Sequence, residues 1–210
     1  MKRFGIDVSN NQGEIEWHEV APHVAFVFVK TSEGMTFWDP NWGKARVDSL
    51  RRNGITFGPY HFASNEGASG KAECDQFLHI ALGAGWGKKG DLPGVLDIEH
   101  GNGGHPGVKF VREFARQYRK RTGHRLIVYT GSFWRDVLRN PMILTRCKLF
   151  LAAYTPTWHG FVPRAWKKPW IWQYGDQGSV PGINGNVDQD RFLKSKRAFE
   201  RMKLKEPIHS

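Results

Sequence analysis

The sequence predicts a single-domain α/β protein of 210 residues whose strands close into a barrel. Three observations carry that expectation. Eight short apolar segments read as strands, more than an open nucleotide-binding sheet needs in so compact a chain. Most alternate with stretches at helical spacing, the mark of βα units around a parallel sheet. No glycine-rich phosphate fingerprint follows the first strand, where Asn10-Asn11-Gln12-Gly13 stands instead. Hydrophobic residues at 40% and charged residues at 24% suit a soluble globular domain, and no run approaches the roughly 18 apolar residues of a membrane span, so membrane insertion is not expected.

Phe4-Gly5-Ile6-Asp7-Val8 reads as the first strand, with an acid inside an apolar run, and Ser9-Asn10-Asn11-Gln12-Gly13 as its turn. Phe26-Val27-Phe28-Val29-Lys30 is nearly continuous, as in a strand covered on both faces, and Thr31-Ser32-Glu33-Gly34 should break it. Helical spacing follows over residues 39–54, opened by Asp39-Pro40 and stopped by Gly54. Residues 56–62 form a third strand ending in aromatics. Residues 69–82 form an amphipathic helix with Cys74, Phe77, Leu78 and Ala81 on one face. The fourth strand lies in Leu92-Pro93-Gly94-Val95-Leu96-Asp97-Ile98-Glu99-His100. A glycine-rich loop, residues 101–107, leads to a helix with Val111, Phe114, Ala115 and Tyr118 inward and Lys109, Arg112, Arg116, Arg119 and Lys120 outward. Then come a strand over 125–130, a helix over 131–140, strands over 149–154 and 170–174, and a last short strand near Asn186-Val187-Asp188. The basic tail should be helical from Arg191 to about Lys203.

Barrels of this kind carry their chemistry at the C-terminal strand ends. Those ends hold Asp7, Lys30 with Glu33, Tyr60 with His61, Asp97 with Glu99, Tyr129, Tyr154, Gln173 with Tyr174, and Asp188. Strand alternation puts Asp97 and Glu99 on one side, their backbones roughly 7 Å apart. Two solvated acids at an exposed strand end are the alternative, and Asp7 could equally cap its turn. Carboxylates flanked by aromatic faces are the equipment of glycoside hydrolysis, in which one acid protonates the leaving oxygen and another stabilises positive charge at the sugar carbon. Tyr60, Tyr129, Tyr154 and Trp172 could pack on sugar C–H surfaces, with core packing the alternative for each. An ionised Asp97 about 6 Å away would raise Glu99 by roughly 3 kcal/mol, or about two pKa units, to near pH 6. Competing chemistries find less support: there is no His-Glu-x-x-His, no paired cysteine spacing and no Gly-x-Ser-x-Gly elbow, so no metal or cofactor is expected.

Eight segments run in an order that resembles the family 25 glycoside hydrolases, the Chalaropsis-type lysozymes or N-acetylmuramidases, often found as phage endolysins. They are Gly5-Ile6-Asp7-Val8-Ser9, Phe28-Val29-Lys30-Thr31-Ser32-Glu33-Gly34, Gly58-Pro59-Tyr60-His61-Phe62, Leu96-Asp97-Ile98-Glu99, Val128-Tyr129-Thr130, Ala153-Tyr154, Trp172-Gln173-Tyr174 and Val187-Asp188. The resemblance implies an irregular (β/α) TIM-like barrel over residues 1–192. A basic helix or tail, residues 193–210, is expected to follow it, and in a departure from many members of the family no separate cell-wall-binding module is expected, the positive charge standing in for one. It also implies cleavage of the β-1,4 bond from N-acetylmuramic acid to N-acetylglucosamine in peptidoglycan. Glu99 would be the general acid, Asp97 its partner, and Asp7 and Asp188 flanking rim carboxylates. Tyr60 and Tyr129 would line the sugar groove, with Glu33 and Gln173 as polar contacts. Asp188 is preferred to Asp190 as the family's last acid because it follows Val187 at the strand end. The expected mechanism has the substrate's 2-acetamido group attack the anomeric carbon, oriented by Asp97; inversion through a water activated by Asp97, Asp7 or Asp188 is the rival.

Lys plus Arg number 31 against 20 acids, a net charge of +11, which favours a polyanion as partner: nucleic acid, an anionic membrane or an anionic bacterial wall. The resemblance selects wall polymers, so lysis should fall steeply with salt. Nucleic-acid binding is not expected, because the aromatics sit at strand ends and the basic residues on helices. A barrel that binds glycan without cutting it is the other alternative, and intact Asp97 and Glu99 argue against it. Two cysteines, Cys74 and Cys147, imply no disulfide framework. Met1-Lys2-Arg3 runs straight into a strand, leaving no room for a signal peptide. The expectation is residence in a host cytoplasm until a holin opens the membrane, or release by a non-signal route, as a monomer.

Overall fold

The computed structural model describes residues 3–64, 67–101 and 106–208. Its strands are β1 (Phe4–Val8), β2 (Phe26–Glu33), the two-residue β3 (Phe37–Trp38), β4 (Phe57–Phe62), β5 (Val95–Asp97), β6 (Ile127–Thr130), β7 (Lys148–Ala152), β8 (Ile171–Gly178) and β9 (Val187–Phe192). They bond in the order β1-β9-β8-β7-β6-β5-β4-β2, and β1 pairs with β2 to close the ring. The hairpin strand β3 hangs on the upper end of β2, Phe37 opposite Glu33. The helices are α1 (Trp17–Val20), α2 (Lys44–Arg52), α3 (Gly70–Gly83), α4 (Val108–Thr122), α5 (Phe133–Asp136) and α6 (Lys196–Met202).

Period-2 alternation divides every barrel strand into an inner and an outer set. Phe26, Phe28, Val95, Ile127, Phe150, Ile171 and Phe192 fill the interior, while Ile6, Val27, Val29, Leu96, Val128, Leu149 and Leu151 face the surrounding helices. Gly5 is needed where it stands, since a Cβ there would lie 2.3 Å from the Phe26 ring. Beneath the barrel, α6 acts as a plug: the Phe199 ring lies 5.1 Å from that of Phe192 and 6.0 Å from that of Phe26. Outside, α3 and α4 pack together through Phe77 and Phe114, rings 6.1 Å apart, with Cys74, Leu78, Ala81, Val111 and Tyr118 buried as the periodicity predicts.

Several expectations are corrected. The sheet is not wholly parallel, because β9 runs antiparallel to both β8 and β1. Residues 179–186 join β8 to β9 as a hairpin turn, with Gly182 and Gly185 at positive φ, too short for a crossover helix. Strand β2 is not broken at Thr31 but continues to Glu33 through a register shift between Lys30 and Ser32. Helix α2 begins at Lys44 rather than near Asp39, whose carboxylate instead accepts from the backbone N–H of Asn10 at 2.7 Å and of Asn41 at 2.8 Å. The helix expected over 131–140 is a single turn, ended by Arg139 and Asn140 at positive φ before Pro141. Arg191 and Phe192 belong to β9, so the tail helix starts only at Lys196, capped by Ser195. Between β7 and β8 no helix forms, where Pro156, Pro163 and Pro169 interrupt the chain. Residues 102–105 of the glycine-rich loop lie outside the described residues. No helix among the described residues is long and apolar enough to cross a membrane.

Candidate active site

The inner-facing positions at the C-terminal ends of the parallel strands open into one cleft of about 260 Å³. Asp7 comes from β1, Lys30 from β2, Tyr60 and Phe62 from β4, Asp97 and Glu99 from β5 and its extension, Tyr129 from β6, Gln173 from β8 and Asp188 from β9, with Tyr154 just past β7. Ser9, Asn11 and Gln12 border the opening. Their turn is held by a capping box, in which Ser9 N–H donates to Gln12 Oε1 at 2.9 Å and Asn11 N–H donates to Ser9 Oγ at 3.2 Å.

Antiparallel pairing sets Asp7 directly opposite Asp188. Gln173 links this pair to the aromatic wall: its Nε2 donates to Asp7 Oδ2 at 2.8 Å, and its Oε1 accepts from the hydroxyls of Tyr129 and Tyr154, both at 2.8 Å. The amide nitrogen is turned to the Asp7 carboxylate, which leaves its oxygen facing both phenols. Asp7 is pushed well above the usual carboxylate range by burial and then by the charge of Asp188.

Asp97 is buried, and its Oδ1 has no hydrogen-bond partner although the residue lines the cleft. Burial, then Glu99, then Asp7 push it well up, while Lys30 draws it down. Glu99 is raised to about 7, first by burial and next by Asp188, with Lys30 again opposing. Sequence alone puts Glu99 at about 6 from the charge of Asp97, with Asp7 and Asp188 adding like charge and a nearby Lys or Arg able to oppose it; the structure makes burial the first cause and Asp188 the second, with Lys30 as the opposing cation, and Asp97 is itself pushed up. Four carboxylates thus face one cation, Lys30. Its ammonium is held 2.8 Å from Glu33 Oε2, over the rings of Phe62 at 5.0 Å and Phe37 at 5.3 Å.

Two expected cleft residues are placed elsewhere. Trp172 points outward, opposite in phase to Gln173, with its Nε1 donating to Ala153 O at 2.8 Å; alternation along β8 forbids both from facing in. Glu33 does not line the cleft; it holds Lys30 there and adds a charge that raises Asp97. Lys30 itself appears in the rim pattern, but nothing in the sequence marks it as the cation that faces the acids. His61 also points outward, into a fully buried chain in which Ser32 Oγ meets His61 Nδ1 at 2.9 Å and His61 Nε2 meets Glu73 Oε2 at 2.9 Å, tying β2 and β4 to α3. Asp190, one inward position below Asp188, is sealed inside the barrel and does not reach the cleft. Among the described residues, no group of three or more His, Cys, Asp or Glu is spaced to hold a metal ion.

Comparison with known proteins bears on this arrangement. The profile of Glycosyl hydrolases family 25 matches residues 6–183. Lysozyme M1 of Streptomyces globisporus is 32% identical over 205 residues, covering 90% of this chain and 67% of that protein. The bacterial lysozyme from Streptomyces coelicolor superposes with a TM-score of 0.86 at 30% identity, over 96% of this chain and 97% of that one. A family GH25 lysozyme from Aspergillus fumigatus gives 0.83 at 28% identity, over 95% and 98% of the two chains. With the profile spanning most of the barrel and relatives of this identity along nearly the whole chain, the protein belongs to glycosyl hydrolase family 25 and is a glycosidase.

Proposed function

We propose that the protein is a peptidoglycan hydrolase that cleaves the β-1,4 bond from N-acetylmuramic acid to N-acetylglucosamine, with Glu99 as general acid. The observation that carries this reading is the pairing of Glu99, raised to about 7 and facing the cleft, with Asp97 two residues earlier on the same strand face. A group with that pKa is protonated in a useful fraction of molecules near neutrality and gives up its proton readily.

Asp97 supplies the asymmetry. Its unpartnered Oδ1 is an acceptor without a donor, and a substrate 2-acetamido N–H is a donor of the right kind. A hydrogen bond donated to the ionised form favours ionisation, so sugar binding draws the charge onto Asp97 and leaves the proton on Glu99. The acetamido carbonyl oxygen then bonds to the anomeric carbon as the glycosidic C–O bond breaks, and the Glu99 proton goes to the leaving oxygen. Water, deprotonated by the Glu99 carboxylate, opens the cyclic intermediate and restores the acetamide, with net retention. Asp188, with Asp7 paired beside it, stabilises positive charge on the sugar from the opposite wall, while Tyr60, Tyr129, Tyr154 and Gln173 shape the groove.

Mass spectrometry of digested peptidoglycan tests the assignment. New reducing ends on muramic acid are expected, abolished by Glu99→Gln while the variant still binds walls; ends on glucosamine or cleaved stem peptides would sink it. Proton NMR of the first product should show the β anomer, and an α anomer would transfer the chemistry to a water activated by one of the other three acids.

A further inference from the structure

At the pole opposite the cleft, where Arg3 enters β1, Lys148 starts β7, Trp170 precedes β8 and Lys194 leaves β9, the surface holds a groove of about 1080 Å³. Eight of its lining residues are Lys or Arg and none is Asp or Glu. A second hollow of about 390 Å³ shares Thr145, Arg146 and Cys147 with the first, and adds Arg112, Arg116 and Arg119 from α4 together with Arg125. The two form one continuous band of cations.

None of these cations lies within ion-pairing distance of a carboxylate among the described residues. Outside the band several cations are paired, Lys44 with Asp48, Lys71 and Arg121 with Asp75, and Lys109 with Glu113, while others such as Lys88 and Lys89 stand singly among the described residues; what sets the band apart is the number of cations gathered along one hollow with no acid in its lining. Two of the band's lysines lie over an aromatic ring. The ammonium groups of Lys148 and Lys194 lie 5.1 and 6.0 Å from the Trp170 centroid. Lys194 is drawn down to about 8 by burial and by Lys168, the signature of like charge held without a counter-charge.

We infer that this band is a binding site for an extended polyol-phosphate polymer of the bacterial wall, held at the pole away from the catalytic cleft. The identity of the polymer rests on the wall-hydrolase reading; the existence of a polyanion site rests on the band alone. Charge complementarity requires an anion, and cations spread along two joined hollows suit a chain of phosphodiesters better than a single anion. Single-stranded nucleic acid fits less well because its bases stack on open aromatic faces. Trp170 is capped by the two lysines, and Trp166 is buried with its Nε1 donating to Cys147 O at 2.9 Å. A polymer anchored there leaves the cleft free and holds the enzyme at high local concentration on its glycan.

The test compares a variant carrying Arg164→Glu, Lys167→Glu, Lys168→Glu and Arg201→Glu, all exposed, with a control of equal net charge carrying Lys44→Glu, Lys71→Glu, Lys88→Glu and Lys89→Glu. Binding is read by polarisation of labelled, purified wall polyol-phosphate polymer and by cosedimentation with walls before and after chemical removal of that polymer. The wild type and the control should bind the polymer, and affinity should fall at least ~10-fold between low and physiological salt. The band variant should lose ~10-fold or more while melting within a few degrees of wild type. Equal loss in the control would reduce the effect to net charge and overturn the proposal. So would undiminished binding to stripped walls, or tighter binding of single-stranded DNA than of polymer at the same salt. Hydrolysis of soluble glycan fragments, read separately, should be unchanged in the band variant. Its absence in the wild type would defeat the muramidase assignment while leaving the binding result to stand.

Discussion

Glu99 and Asp97 share a strand face, yet Asp97 is the more deeply buried and Glu99 the more open to the cleft, and Lys30 moderates both. A general acid must be protonated to act, so kcat/KM should fall as pH rises through about 7, the position of Glu99 in the free site. Lys30 lowers Glu99, so Lys30→Met should move that limb to higher pH; an unmoved or lowered limb would show that Lys30 does not act on the acid. Asp190 offers a test of burial without catalysis. It is 0% exposed, and burial, then the charges of Asp7 and Asp188, then a side-chain hydrogen bond with Asp7 raise it well above its ordinary value. The folded protein therefore keeps a proton that the unfolded chain releases. The group's stabilising contribution is complete below its unfolded pKa and is lost as pH rises toward its folded pKa. Asp190→Asn removes this linkage, so its melting temperature should gain more over wild type at pH 8 than at pH 4, by a few degrees for each kcal/mol recovered. Equal differences at both pH values would refute a buried proton.

At the level of elements, two departures from a regular βα barrel build the site. The β8–β9 hairpin replaces a final crossover and, by reversing β9, brings Asp188 into register with Asp7 across an antiparallel pair. The extension of β2 past its register shift carries Lys30 and Glu33 up the rim beside β3. The other end of the barrel depends on α6. Phe199 is 6% exposed and packs on Phe192 and Phe26, so Phe199→Ala should cost about 3–5 kcal/mol and lower the melting temperature by roughly 10 °C. A drop under about 2 °C in thermal unfolding would mean that the helix only rests against the barrel.

Across the whole molecule charge is polarised: four carboxylates share the cleft with Lys30, and the far pole gathers a band of cations whose lining holds no acid. Exposed large apolar side chains among the described residues are Phe37, Trp38, Met142 and Tyr154, too scattered for an obligate interface. With a net charge of +11 opposing self-association, light scattering should give a monomer near 24.0 kDa; a concentration-independent dimer would contradict this.

Much of this was legible in the chain because local rules dictate it. Alternation alone puts Asp97 and Glu99 on one side of a strand and turns Gln173 inward, and the same rule, applied to β8, would have turned Trp172 outward. Helix periodicity identified the buried faces of α3 and α4, and strand order with the family resemblance placed Asp7 and Asp188 at a common rim. What local pattern does not encode is direction and distance between segments far apart in sequence. The reversal of β9, the share of burial and of Asp188 in raising Glu99, the approach of Lys30 to the acids and the sealing of Asp190 all depend on which surfaces meet once the barrel closes. The net charge of +11 was written in the composition, but only the fold decided that a dense share of its cations would meet at one pole, because segments at β1, α4, β7, β8 and β9 come together there and no acidic side chain lines the hollows they form.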